Sequence, residues 1–356
     1  MTTKQMILAA GSIVLILAGF MIIRNTISDS KGKEENAMSM LADERSTSPL
    51  LGKALYRDDQ RSITKLAAEF TKQGKADDAA LLSRITSQPG STWLTGPSES
   101  DPTAANDVSD AARTSQEAAA SDTTPVYVLY ALPGRDACAG FSKGGFVTNE
   151  QYVQWIAQIR DSLQTPSIII LEPDSIAHAD EQGCLTTEKR EARYSLLKST
   201  VETLSSSQQV LGVYLDAGNA EWKPDPKTLI DHLRKSGIDQ ARGIAVNVSS
   251  FVDTDQTISW SQAIIDRLGS DKGIIIDTSR NGTGAAPKNV TGTARWCNPA
   301  GRGLGTVPTT TTDKAYIDAY IWVKNAGESD GDCFGNPPAG TLDARLALEL
   351  ARNAKR

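Results

Sequence analysis

Between Pro125 and Lys324 short apolar runs alternate with amphipathic segments. The runs are PVYVLYAL (Pro125–Leu132), SIIIL (Ser167–Leu171), VLGVYLD (Val210–Asp216), GIAVNV (Gly243–Val248), GIIID (Gly273–Asp277) and AYIWVK (Ala319–Lys324). STWL (Ser91–Leu94) is a further candidate. Unbroken apolar runs of this length suit strands covered on both faces. Apolar spacing predicts helices over 149–163, 187–204, 226–236 and 259–268. Upstream, Ile63–Ile85 has helical spacing broken near Gly74, and the alanine-rich Ala104–Ala120 predicts another helix. Strand alternating with helix predicts an α/β fold with a parallel sheet, closed into a barrel or left open.

The ends of the runs carry the polar signal. They finish at or near Asp136, Glu172 and Asp174, Asp216, Asn247, Asp277, and Lys324 followed by Glu328 and Asp330. A single acid at a strand end is ordinary, because turns and helix caps favour Asp. A series of them is not. In a parallel α/β barrel the C-terminal strand ends converge on one mouth, where active sites are built. In LEPDS, Pro173 separates Glu172 from Asp174 and ends the strand between them, because proline fixes φ and has no N–H for the ladder.

Composition narrows the function classes. The chain has 356 residues and a net charge of −6, with no Lys/Arg-rich block, so nucleic acid is not an expected partner. Residues 5–23 carry no charge and are long enough to span a bilayer. They predict an uncleaved anchor, with a cleaved signal peptide as the alternative. Residues 1–4 form a short tail, 24–47 a polar stalk, and 48–356 the globular domain. The four cysteines, Cys138, Cys184, Cys297 and Cys333, form no CxxC pair. A structural zinc site is therefore poorly supported. An even count after an apolar N-terminus suits two disulfides outside the cytoplasm. Three connectivities are possible, and the sequential one, Cys138–Cys184 and Cys297–Cys333, is expected.

A mouth rich in carboxylates suits glycoside hydrolysis, which needs two of them and no cofactor. It also suits magnesium-assisted chemistry, or a polar groove that only binds. The aromatic residues favour sugar. Trp93, Trp222 and Trp296 lie in loops or at element ends beside polar residues, and Tyr130 lies near Asp136. Trp155 and Trp260 fall within helical stretches and are read as core. SRNGTG (Ser279–Gly284) lacks the lysine and spacing of a phosphate loop.

Seven segments, in order, resemble glycoside hydrolase family 6, the inverting cellulases, and its bacterial members most. They are YALPGRDAC, IIILEPDS, VYLDAGNAEW, GIAVNVSSF, IIDTSRNGTG, RWCNPAGRGLGTVPTTTT and DAYIWVKNAGESDGDC, and the resemblance runs from about Ser48 to the end. It implies a distorted, TIM-like (β/α) barrel of about seven mostly parallel strands, without metal or cofactor. It implies that Asp174 is the general acid and that Asp136 holds a water network and keeps the acid's pKa raised. Tyr130 is implied to press on the sugar at the cleavage point, and Asp330 occupies the disputed position of the base. Asp216 is implied to support substrate and local structure, and Lys324 and Glu328 to bind sugar hydroxyls. Trp93, Asn219, Trp222, Asn247 and Trp296 complete the expected substrate contacts. The family's disulfides match the sequential pairing.

The chain departs from the family pattern twice. Asn219 stands in DAGN where the family has histidine, and Ala137 separates Asp136 from Cys138. The short stretch from Asp330 to the C-terminal helix implies an open cleft. The expected function is thus hydrolysis of internal β-1,4-glucosidic bonds in cellulose or related β-glucans by a monomer. That monomer is held outside the cytoplasm by its N-terminal helix, or secreted. The alternative is a glycan-binding member of the family with little or no activity.

Overall fold

The computed structural model describes residues 48–354 apart from 99, 100, 137, 139, 180, 182, 224 and 270. The expected tail, anchor and stalk over 1–47 lie outside the described residues. Two antiparallel-like neighbours open the domain: α1 (Ser62–Lys72) and α2 (Ala76–Thr86), separated by Gly74 at φ 73°. Then come β1 (Thr92–Leu94), α3 (Ala105–Ala120), β2 (Val126–Leu129), α4 (Asn149–Ser162), β3 (Ser167–Leu171), α5 (Ser175–Ala179) and α6 (Thr187–Ser205). The second half holds β4 (Val210–Asp216), α7 (Lys227–Lys235), β5 (Gly243–Val246), α8 (Thr254–Leu268), β6 (Gly273–Asp277), α9 (Thr293–Trp296), β7 (Ile317–Ile321) and α10 (Ala344–Arg352).

The seven strands form one sheet in sequence order, every pair parallel. The ladder does not close between β1 and β7. Side chains bridge that seam: Trp93 Nε1 donates to Val323 O at 2.8 Å, and Ser91 Oγ to Trp322 O at 3.3 Å. The sheet is therefore curled until its edges meet, a barrel with one open seam, which is the distortion expected.

Strand alternation explains why the runs are apolar throughout. Ile168 and Ile170 join Val128, Ala245, Ile275 and Ile321 in an inner cluster. Ile169 and Leu171 join Leu129, Leu215 and Ile276 in the outer layer beneath the helices. Inside the curl, Asp318 pairs with Arg242 at 2.8 Å and accepts from Tyr214 Oη at 2.6 Å, so its buried charge is compensated. A Cβ on Gly273 would lie 1.9 Å from Asp318 Oδ2, so no larger residue fits there.

Several expected boundaries shift. β2 ends at Leu129 rather than Leu132, because the Ala131 and Leu132 amides turn to the Glu172 carboxylate. β7 begins at Ile317 and ends at Ile321, and the Lys324 amide leaves the ladder for Asp277 Oδ2. The helix expected from Ser259 starts at Thr254, because the Asp253 side chain caps it by accepting from Asp255 N. The short helices α5 and α9 were below the length at which periodicity is visible.

Candidate active site

The C-terminal strand ends open into a groove of about 1190 Å³. β3 shows how the sequence builds its floor. Glu172 and Asp174 both take left-handed backbone angles, φ 50° and 68°, around Pro173. The reversal sends their side chains to different places. Glu172 is fully buried and accepts from the amides of Ala131 and Leu132 at 2.9 and 3.1 Å, pinning the end of β2. Asp174 lines the groove. One carboxylate of the pair is therefore structural and the other faces the solvent space.

Asp216, at the end of β4, does not line the groove. It lies beneath it, where Oδ1 accepts from the amides of Asp174 and Gly218 at 3.0 and 3.1 Å. Burial pushes the Asp174 carboxyl up to about 7, and the neighbouring charge of Asp216 adds to the rise. Asp136 and Asp330 raise it further, and His178 opposes them. Asp216 is also raised by burial, but its two N–H donors stabilise its anion. No donor among the described residues holds the Asp174 carboxylate. The two buried carboxyls therefore titrate as a pair that retains a proton near neutrality.

Asn247 is likewise buried and absent from the groove lining. Its amide donates to Asp277 O at 2.9 Å and its carbonyl accepts from Val252 N at 3.1 Å, so it organises the β5 turn. Asp277 performs a similar task below the floor, accepting from Ser249 N, Ser279 N and Lys324 N.

Asp136 sits in the loop after β2 at φ 51° and accepts from Ser142 N at 2.5 Å. Its Oδ1 is 3.8 Å from His178 Nε2. His178 Nδ1 lies 3.1 Å from Glu181 Oε2, and Glu181 Oε1 accepts from Trp222 Nε1 at 2.6 Å. Asn219 lines the groove but commits its carbonyl to the amides of Glu221 and Trp222 at 3.1 and 3.0 Å. Cys138–Cys184 ties the Asp136 loop to the segment after α5, and Cys297–Cys333 ties the loop after α9 to the one after β7, both as expected. Cys138, His178 and Glu181 cluster within 4.8 Å, but Cys138 is spent in its disulfide and offers no thiolate to a metal.

The opposite wall comes from β1 and β7. Trp93 meets Tyr130 edge-on at 5.7 Å, and Lys324 Nζ lies 5.7 Å from the Trp93 ring centre. Lys324 also donates to Ser329 O at 3.1 Å and lies 3.9 Å from Glu328. Burial pushes the Lys324 ammonium down and the Glu328 carboxyl up, while each charge favours the other. Arg135 covers the Tyr130 ring at 4.5 Å. Arg280 holds both oxygens of Asp330, at 2.9 and 3.0 Å, and Asn298 N donates to Oδ2 at 2.9 Å. Trp296 is 41% exposed and packs edge-on against Phe141 at 5.2 Å.

The groove therefore brings together Trp93, Tyr130, Asp136, Asp174, Asn219, Trp222, Trp296, Lys324, Glu328 and Asp330. It leaves Asp216 and Asn247 below its surface. Sequence reasoning gave no site role to His178, Glu181 or Arg280. The first two are an i, i+3 pair directly after the LEPDS motif, a spacing that could have drawn notice.

Residues 51–354 match the family described as glycosyl hydrolases family 6. The chain belongs to this family. Endoglucanase A of Cellulomonas fimi is 36% identical over 281 residues, 78% of this chain and 57% of that protein. Endoglucanase 1 of Streptomyces halstedii is 33% identical over 283 residues, 78% of this chain and 81% of that protein. The endoglucanase Cel6 from Mycobacterium tuberculosis, solved with methyl-cellobiosyl-4-deoxy-4-thio-β-D-cellobioside, superposes with a TM-score of 0.74 at 37% identity. It covers 86% of this chain and 99% of that one. This family 6 chain thus spans little more than half of the Cellulomonas protein and nearly all of the Mycobacterium domain.

Proposed function

We propose that this family 6 member hydrolyses internal β-1,4-glucosidic bonds of cellulose or a related β-glucan with inversion. The observation that carries the reading is Asp174, a groove-lining carboxyl held protonated near neutrality by burial and by the Asp216 charge beneath it. Asp174 gives its proton to the leaving glycosidic oxygen as the C1–O bond breaks. A water attacks C1 from the other face, and its proton passes to Asp330. Arg280 holds both oxygens of Asp330 at the groove's edge. Trp93, Trp222 and Trp296 offer ring faces to glucosyl units, and Lys324 and Glu328 offer polar groups beside Trp93. Tyr130 presses on the ring at the cleavage point. Burial raises its phenol well above the ordinary range, so it stays neutral throughout.

The endo assignment rests on the compact connection between Ile321 and Ala344, which the Cys297–Cys333 disulfide and Ser329 hold down at the groove's edge. Viscosity and reducing-end release from barley β-glucan and carboxymethylcellulose test it together. Internal cleavage lowers viscosity early, at few reducing ends. Release of cellobiose without early viscosity loss would favour exo attack, and binding without release would leave only a glycan-binding role.

The two disulfides support a place outside the reducing cytoplasm. Among the described residues no helix is long and apolar enough to cross a membrane. The uncharged stretch 5–23 supports attachment by an N-terminal anchor. Fractionation of cells making the full chain tests that assignment. A soluble product beginning after Ile23 would replace anchor with signal peptide.

A further inference from the structure

The chain contains two histidines. One, His232, stacks on Tyr194 at 5.2 Å in the helical layer. The other, His178, lines the groove and is only 9% exposed. It lies in the last turn of α5, and its backbone amide donates to Asp174 O at 2.8 Å, so the imidazole is carried on the same turn as the candidate acid. Its surroundings are built from separate loops. Asp136 comes from the loop after β2, at 3.8 Å from Nε2. Glu181, from the loop after α5, is 3.1 Å from Nδ1. Trp222, from the loop after β4, packs its ring at 69° to the imidazole with centres 4.6 Å apart. Glu181 closes the set, because its second oxygen accepts from Trp222 Nε1 at 2.6 Å.

Each polar atom of this set has one task. The Glu181 oxygens are divided between imidazole and indole, so Glu181 fixes the angle between the two rings. The imidazole then stands between Glu181 and Asp136. Asn219, where the family has histidine, is occupied in capping the Trp222 turn. The imidazole that this groove presents therefore comes from β3's side and not from β4's.

We propose that His178 is a positioning residue for the hydrolysis, which through Glu181 and Asp136 holds the Trp222 ring and the Asp136 carboxylate in register beside Asp174. The proposal rests on the function proposed above. An imidazole packed on the Trp222 ring, bonded to Glu181 and lying 3.8 Å from the Asp136 carboxylate, ties sugar binding to the geometry of proton donation. Misplacement of such groups by about 1 Å costs on the order of 10²-fold in rate.

The test is His178→Asn in the full chain, which keeps a polar planar group and removes the imidazole. The substrates are barley β-glucan and cellohexaose. kcat should fall roughly 10- to 100-fold. A second readout separates positioning from a structural role. The charged groups facing Asp174 are Asp216, Asp136, Asp330 and His178, and those facing His178 are Asp136, Asp174 and Glu181. Of these, only His178 lowers the Asp174 pKa. Its loss leaves the acid protonated to higher pH, so the alkaline limb of kcat should move upward. Glu181→Gln should reduce kcat in the same direction with its melting temperature kept, and it carries the test if His178→Asn does not fold. An active wild type with kcat and alkaline limb unchanged in these variants would overturn the proposal. An inactive wild type would overturn the proposed function itself, and this inference with it.

Discussion

Replacing Asp216 by asparagine should move the pH at which catalysis fails, although Asp216 never touches the groove. Its Oδ1 accepts the amides of Asp174 and Gly218, and its Oδ2 is buried without a partner. An amide oxygen can keep both accepted bonds, and the amide nitrogen takes a place where no bond is displaced. What disappears is the negative charge under Asp174. Burial is the larger cause of the raised Asp174 pKa and the Asp216 charge the second, so removing that charge lowers the pKa. Each pH unit of such a fall corresponds to about 1.4 kcal/mol. The acid works only when protonated, so activity is present below its pKa and lost above it. Lowering that pKa by about one unit cuts the protonated fraction at pH 7 roughly fivefold and leaves pH 5 almost unchanged. The assay is kcat against pH on barley β-glucan for both proteins, with melting curves at each pH. An alkaline limb that stays put or moves upward would refute the pairing of Asp216 with Asp174.

Further outcomes follow from the same geometry. Asp174→Asn should raise the melting temperature above pH 7. A carboxyl lifted from its ordinary 3.8 to about 7 stabilises the fold fully below 3.8 and loses that contribution as pH rises through 7. The cost removed is on the order of 4 kcal/mol at alkaline pH, and an unchanged melting curve there would show that the carboxyl is not strained. Replacing Cys297 and Cys333 together by serine should cost about 2–4 kcal/mol of stability, read by urea unfolding, because the bridge closes a loop with a sequence separation of 36. NMR of the first product from cellohexaose should show the α anomer, and an initial β anomer would remove single-displacement chemistry.

Much of the fold was legible because its strands obey one rule. Ile168–Leu171 is apolar at every position since alternate side chains enter the curl and the helical layer, and both are dry. Strand edges were less legible, since they depend on where an amide finds its partner. Lys324 looks like strand until its N–H is seen to serve Asp277. The candidate site was legible where a side chain reaches the groove from a strand end, as Asp174 and Lys324 do. It was obscure where left-handed turns redirect the chain. Glu172 and Asp174 are two residues apart and would share one face of a continuing strand, yet φ 50° and 68° send one into the core and one into the groove. Asn247, at φ 62°, resembles a groove residue by position and is spent on backbone partners. His178 and Glu181 gain their meaning only from Asp136 and Trp222, which loops distant in sequence bring beside them.

The most direct test of the account is the leaving-group dependence of Asp174→Asn. A sugar alkoxide leaves poorly without a proton, whereas nitrophenolate or fluoride leaves readily. A positioned general acid contributes about 10²- to 10⁴-fold. The variant should lose activity on barley β-glucan by about that factor, retain most of it on an activated cellobioside, and still bind cellohexaose. Equal loss on both substrates would contradict the assignment of Asp174 as the acid.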